Sequence, residues 1–134
     1  YDISARENSL VVGTSNKSEL LLGYGTIFGD LACAINPIGD IYKSDLFELA
    51  KYLGVNDNIL KKAPSADFYE GQSDEADLGY SYSKIDSLLK KMIDENRSKD
   101  ELLALGFEDE FIETIKKRVK INEFKRRLPI VAKI

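Results

Sequence analysis

The stretch that most limits what this chain can fold into is Val11 to Asp30, "VVGTSNKSELLLGYGTIFGD". Leu10 to Gly13 is a short apolar run bounded by polar residues, the pattern of a buried parallel strand. The remainder of the chain reads almost entirely as helix and turn. One strand cannot make a sheet, so these residues alone are not expected to form a normal one. Beyond the strand, Ser15 or Asn16 can cap a helix, and Asn16 with Glu19 forms a capping-box pair. Leu20, Leu21 and Leu22 give that helix its apolar side, and Gly23 ends it.

Residues 23–30 read as a loop anchored by Ile27 and Phe28. Leu31 to Ile35 is apolar, helical or extended, and Pro37 breaks it. Ser44 is expected to cap an amphipathic helix that turns Leu46, Phe47, Leu49, Ala50 and Leu53 inward and stops at Gly54. A short helix over Asn58 to Lys62 stops before Pro64. Pro64 to Tyr80, "PSADFYEGQSDEADLGY", carries five carboxylates and two glycines, the composition of a loop long enough to act as a mobile cover. A helix starting at Ser83 or Lys84 carries Ile85, Leu88, Leu89, Met92 and Ile93. Asp100 to Leu105 makes a further turn ending at Gly106. In the last helix Phe111, Ile112, Ile115 and Val119 form the buried stripe, with a basic exterior from Lys116 to Lys120.

Composition removes several function classes. The 134 residues are 43% apolar and 31% charged, ordinary for a globular domain with one buried core. A net charge of −4 gives no reason to expect nucleic acid or an anionic membrane as partner. No apolar run approaches the roughly 18 residues of a membrane span. With no histidine, a Ser-His-Asp or Cys-His mechanism and a His-ligated zinc are excluded within this chain. The single cysteine, Cys33, cannot form an internal disulfide; it fits a reducing cytoplasm and reads as a small core residue. The opening "YDISAREN" has neither Met nor a signal-like apolar region, and reads as part of a longer protein.

A strand ending in Gly13-Thr14 puts an amide and a hydroxyl at the carboxyl edge, where open α/β sheets bind ligands. Glu19 is either the back half of a capping box or a Mg²⁺ carboxylate, and the two roles are compatible. Gly23, Gly25 and Gly29 miss the G-x-G-x-x-G spacing by one residue, so alone they read as tight turns. Lys43, beside a helix N-terminus, could hold a phosphate as a point charge or be solvated surface. Asp74, Glu75 and Asp77 read as a solvated loop. Lys125, Arg126 and Arg127 read as cations complementing the dipole of the last helix.

Together these segments point further. The stretch from Val11 to Gly54, then "PSADFYEGQSDEADLGYSYSKID", then "NEFKRRLP", resemble in one collinear order the C-terminal half of bacterial ammonia-dependent NAD synthetase. That family belongs to the N-type ATP pyrophosphatases, with an adenine-nucleotide α-hydrolase-like fold: a parallel sheet flanked by helices. The resemblance implies that residues 1–134 are the C-terminal part of one such domain. It also implies amidation of deamido-NAD by ammonia, with ATP adenylating the carboxylate first. Thr14, Lys43 and Ser65 would bind ATP, Glu19 would ligate Mg²⁺, and Asp30, the glycine loop and Lys125 would serve deamido-NAD. Pro64 to Gly79 would be the closing loop, in which Asp74 and Glu75 are the candidates for a catalytic part. Phe124 departs from the histidine that many relatives carry just before this lysine.

The resemblance further implies a cytoplasmic homodimer. The family's Ser-Gly-Gly-x-Asp-Ser phosphate loop is absent from these residues, which contain no Gly-Gly pair. The chain alone is therefore expected to be inactive. Other ATP pyrophosphatases, such as GMP or argininosuccinate synthetase, are the alternatives within enzymes. A helical interaction fragment with Glu19 only a cap is the alternative outside them. A nicotinamide-dependent dehydrogenase has the wrong glycine spacing and no second strand.

Overall fold

The structure is a computed structural model that describes residues 1–66, 69–127 and 129–133. The chain divides into two compact units, Tyr1–Ile41 with Glu108–Ile134, and Tyr42–Phe107. No helix among the described residues is long and apolar enough to cross a membrane.

The first unit holds α1 (Asp2–Arg6), α2 (Lys17–Leu22), α8 (Asp109–Ile121) and a 3-10 turn (Glu123–Arg126). Its core forms where α2 meets α8, with Leu22 of the one and Phe111, Ile112, Ile115 and Val119 of the other all buried. Those four side chains recur at three- and four-residue spacing, one face of a helix, as their sequence pattern predicts. Each such burial stabilises by about 1.5–3 kcal/mol.

The strand expected at Leu10 to Gly13 survives only as one isolated parallel bridge, between Val12 and Ile35. The Gly13 N–H donates to Ile35 O at 2.7 Å, and Ala34 N–H to Val11 O at 2.9 Å. Among the described residues no second strand extends the pairing, and Leu10 and Val12 remain 68% and 59% exposed. The apolar run has the chemistry of a buried strand without the neighbours that would bury it. Cys33 is half-buried rather than a core residue, with its sulfur against Gly13.

The second unit holds α3 (Lys43–Tyr52), α4 (Asp57–Leu60), α5 (Asp74–Leu78), α6 (Tyr82–Leu89) with a π-helical turn (Lys90–Asp94), and α7 (Lys99–Ala104). Its core is Leu78, Tyr82, Ile85, Leu88, Leu89 and Leu102, and α6 packs on α3. Two expectations change here. Phe47 and Leu53 are exposed, so α3 turns a narrower face inward than its apolar content suggests. The acidic stretch is also not all loop. Ser73 Oγ accepts the Ala76 N–H to cap α5, and Gly79 closes it at φ 80°, a left-handed geometry that glycine takes without strain. The mobile-cover expectation for Pro64 to Gly79 includes Asp67 and Phe68, which lie outside the described residues.

Candidate functional site

In the first unit the sequence after the bridge does what its residue types dictate. Asn16 Oδ1 accepts the Glu19 N–H at 3.1 Å, and Glu19 Oε2 accepts the Asn16 N–H at 3.1 Å, a complete capping box. Glu19 is half-buried on the first turn of α2, and Thr14 is exposed two residues past the bridge. Beside Gly13 sits Asn36, whose Oδ1 is buried with no hydrogen-bond partner among the described residues. Buried acceptors are ordinarily satisfied by protein, water or a ligand.

The glycine loop is held from a distance. Gly23 ends α2 in the left-handed region at φ 64°, and a Cβ there would come within 2.2 Å of the Asn122 Cβ. Lys125 Nζ donates to Gly23 O at 2.7 Å and to Gly25 O at 2.8 Å. Asp30 Oδ1 accepts the Thr26 N–H at 2.7 Å, closing the other end of the loop. Lys125 is thus not a complement of its own helix, whereas Arg126 meets the Val119 carbonyl near the end of α8 as well as α2. Both reach the C-terminal carbonyls of α2, because the 3-10 turn after α8 points them back across the unit.

In the second unit Lys43 is the first residue of α3. Ser44 does not cap this helix, as its sequence position suggests. Its backbone N–H donates instead to the carboxylate of Asp86, buried on α6, at 2.8 Å. The Lys43 ammonium lies over the Tyr82 ring at 5.4 Å from the centroid, within cation–π range. The Tyr82 hydroxyl donates to Asp74 Oδ2 at 3.4 Å, and the Tyr82 N–H to Glu75 Oε1 at 2.8 Å. Asp74 is buried rather than solvated, and its N–H donates to Pro64 O, next to half-buried Ser65.

Three of the sequence candidates, Lys43, Asp74 and Glu75, therefore meet at Tyr82, a residue that sequence reasoning passes over. Its signal is present: an aromatic immediately behind Ser81, whose side chain caps α6. Near α5 the exposed Tyr69 hydroxyl donates to Asp77 Oδ1 at 3.3 Å, and the charge of Asp77 raises the phenol pKa. Among the described residues no group of three or more potential ligating side chains forms a metal site from protein alone.

Residues 1–129 match the sequence model of a family described as NAD synthase. The chain is 55% identical over its whole length to the NH(3)-dependent NAD(+) synthetase of Wolinella succinogenes, covering 52% of that protein. It is 57% identical to the protein of the same name from Campylobacter jejuni strain RM1221, covering 53% of it. The solved NH3-dependent NAD synthetase of Campylobacter jejuni aligns with 99% of this chain and 49% of its own, at 47% identity and a TM-score of 0.76. An NMN synthetase from Francisella tularensis aligns with 100% of this chain and 51% of its own, at 35% identity and a TM-score of 0.82. The chain spans about half the length of the curated relatives it matches.

Proposed function

Since the chain belongs to the NAD synthase family, we propose that it is the C-terminal half of an ammonia-dependent NAD synthetase. The single observation that carries this reading is its match, over its whole length, to proteins of that name at 55–57% identity. The proposed fold of the complete domain is the parallel sheet flanked by helices to which the Val12–Ile35 bridge would contribute. The complete protein is proposed to be a cytoplasmic homodimer acting on small molecules.

The proposed reaction has two steps. A carboxylate oxygen of deamido-NAD attacks the α-phosphorus of ATP, and the bond to pyrophosphate breaks. Ammonia then attacks the acyl carbon, the C–O bond to AMP breaks, and a nitrogen proton leaves to solvent. Ammonia is its own nucleophile, so a chain without histidine loses nothing.

Thr14, Lys43 and Ser65 are proposed to bind ATP; Asp30, Lys125 and the glycine loop are proposed to serve deamido-NAD. The half-buried carboxylate of Glu19 is a hard oxygen donor of the kind Mg²⁺ takes, and a carboxylate's roughly four lone-pair sites admit both a cap and a metal. When bound, the ion would offset charge developing on phosphate oxygens. The cluster at Tyr82 gives the second unit a fixed cation, Lys43, beside a buried carboxylate, Asp74. Glu75, tied to the Tyr82 N–H, is proposed with Asp74 as part of the segment that covers the hydrolysable adenylate.

The test is a hybrid in which residues 1–134 replace the matching half of the Campylobacter jejuni synthetase. It should form NAD with pyrophosphate release only when deamido-NAD, ATP and ammonia are all present, and residues 1–134 alone should form none. Pyrophosphate release driven by xanthosine monophosphate or citrulline would move the chain to another amidating ligase. Preference for the deamidated mononucleotide would favour the NMN synthetase likeness.

A further inference from the structure

We infer that Arg126, together with Lys125, is a positioning residue that shapes the glycine loop before any ligand arrives. The inference rests on the reading of that loop as the deamido-NAD side. Carbonyls at the end of α2 and the start of the loop meet cations from a distant part of the chain. Arg126 Nη1 donates to Leu20 O at 3.1 Å and Leu21 O at 2.9 Å. Arg118 Nε donates to Leu22 O at 3.4 Å, and Lys125 takes the Gly23 and Gly25 carbonyls.

Such carbonyls carry the partial negative charge of a helix C-terminus, and cations there are favourable. Arg126 also donates from Nη2 to Val119 O at 3.4 Å, so one guanidinium ties the end of α2 to the end of α8. The planar fork suits this two-sided grip in a way that a single ammonium cannot copy. Asn122 seats the left-handed Gly23 from below. The loop path is therefore set by the 3-10 turn, and two of the three Lys125 N–H donors serve that path rather than a substrate.

Arg127 provides the matched control. It is an exposed cation in the same segment, and its side chain pairs with Glu123 rather than with the loop. Amide hydrogen exchange on the 134-residue chain, without ligand, reads the effect at Tyr24, Thr26 and Gly29, whose N–H groups are hydrogen-bonded. Arg126→Gln and Lys125→Met should each raise exchange there about tenfold. Arg126→Lys should recover part of the protection, and Arg127→Gln should stay close to the parent.

Loop exchange in Arg126→Gln and Lys125→Met no faster than in Arg127→Gln overturns the inference. If Arg126→Gln unfolds the first unit, seen as lost protection at Ile115 and Lys116 in the middle of α8 too, Lys125→Met decides. In the hybrid synthetase, Arg126→Gln should raise the KM for deamido-NAD and leave that for ATP unchanged. A parent hybrid that forms no NAD counts against the proposed function alone, because the exchange experiment decides positioning without it.

Discussion

Each unit contains a helix end closed by a side chain far away in sequence, and the two closures work in opposite ways. At the C-terminus of α2, exposed or half-exposed cations reach carbonyls across the surface. At the N-terminus of α3, a fully buried carboxylate, Asp86, takes the Ser44 N–H. Both complement the helix dipole with the right sign. They differ in solvent. A buried charged hydrogen bond cannot be replaced by water, whereas the bonds of a surface cation partly can. The α3 end should therefore depend on one residue, and the α2 end on a set.

The steric seat is where the α2 end can be broken most sharply. Gly23→Ala should cost about 2–4 kcal/mol in urea unfolding, from the left-handed backbone and from the collision with Asn122. Adding Asn122→Gly should return only the collision part. Asp86→Ala should cost about 2–3 kcal/mol, and Asp86→Asn, which keeps an acceptor without the charge, about half of that. An Asp86→Ala loss no larger than that of an exposed charge would erase the contrast between the two ends.

A third, local helix end gives the smallest effect and sharpens the comparison by pH. On α7, Glu101 Oε2 accepts the Ser98 N–H at 2.8 Å, and Oε1 accepts from Arg97 at 2.9 Å. The backbone bond first, then Arg97 and the Ser98 hydroxyl, lower its pKa to about 2. A carboxyl that is more acidic folded than unfolded contributes stability above its unfolded value of 4.5, lost as pH falls toward about 2. Its carboxyl resonance should accordingly titrate near 2 in an NMR series, and Arg97→Ala should bring the midpoint back toward 4.5.

These closures also mark how far the sequence can be read. The capping box of Asn16 and Glu19 and the buried stripe of α8 are legible, because their partners lie three or four residues apart. Asp86 is not, since a carboxylate between Ile85 and Ser87 looks like the solvent side of a helix until α3 is seen against it. For the same reason Ser44 looks like a cap. Its side chain suits that role, but the actual partner of its N–H is 42 residues away. Sequence position gives Lys125 and Arg126 to the nearest dipole; geometry gives Lys125 another helix's end and divides Arg126 between the two. In α5 the start and stop, Ser73 and Gly79, are visible but outweighed by acidic composition. Of the candidate site, the identities of Lys43, Asp74 and Glu75 are readable; their meeting at Tyr82 is not, because it depends on α3 and α5 both meeting α6.

The proposed mechanism turns on whether Glu19 does more than close its own helix. Glu19→Gln retains an oxygen that can accept the Asn16 N–H while removing the charge that holds a divalent cation. Measured in the hybrid synthetase, NAD formation should fall on the order of a hundredfold, with a raised Mg²⁺ requirement and nearly unchanged thermal midpoint. Full activity with the parent's Mg²⁺ dependence would contradict the proposed metal role and leave Glu19 as a cap alone.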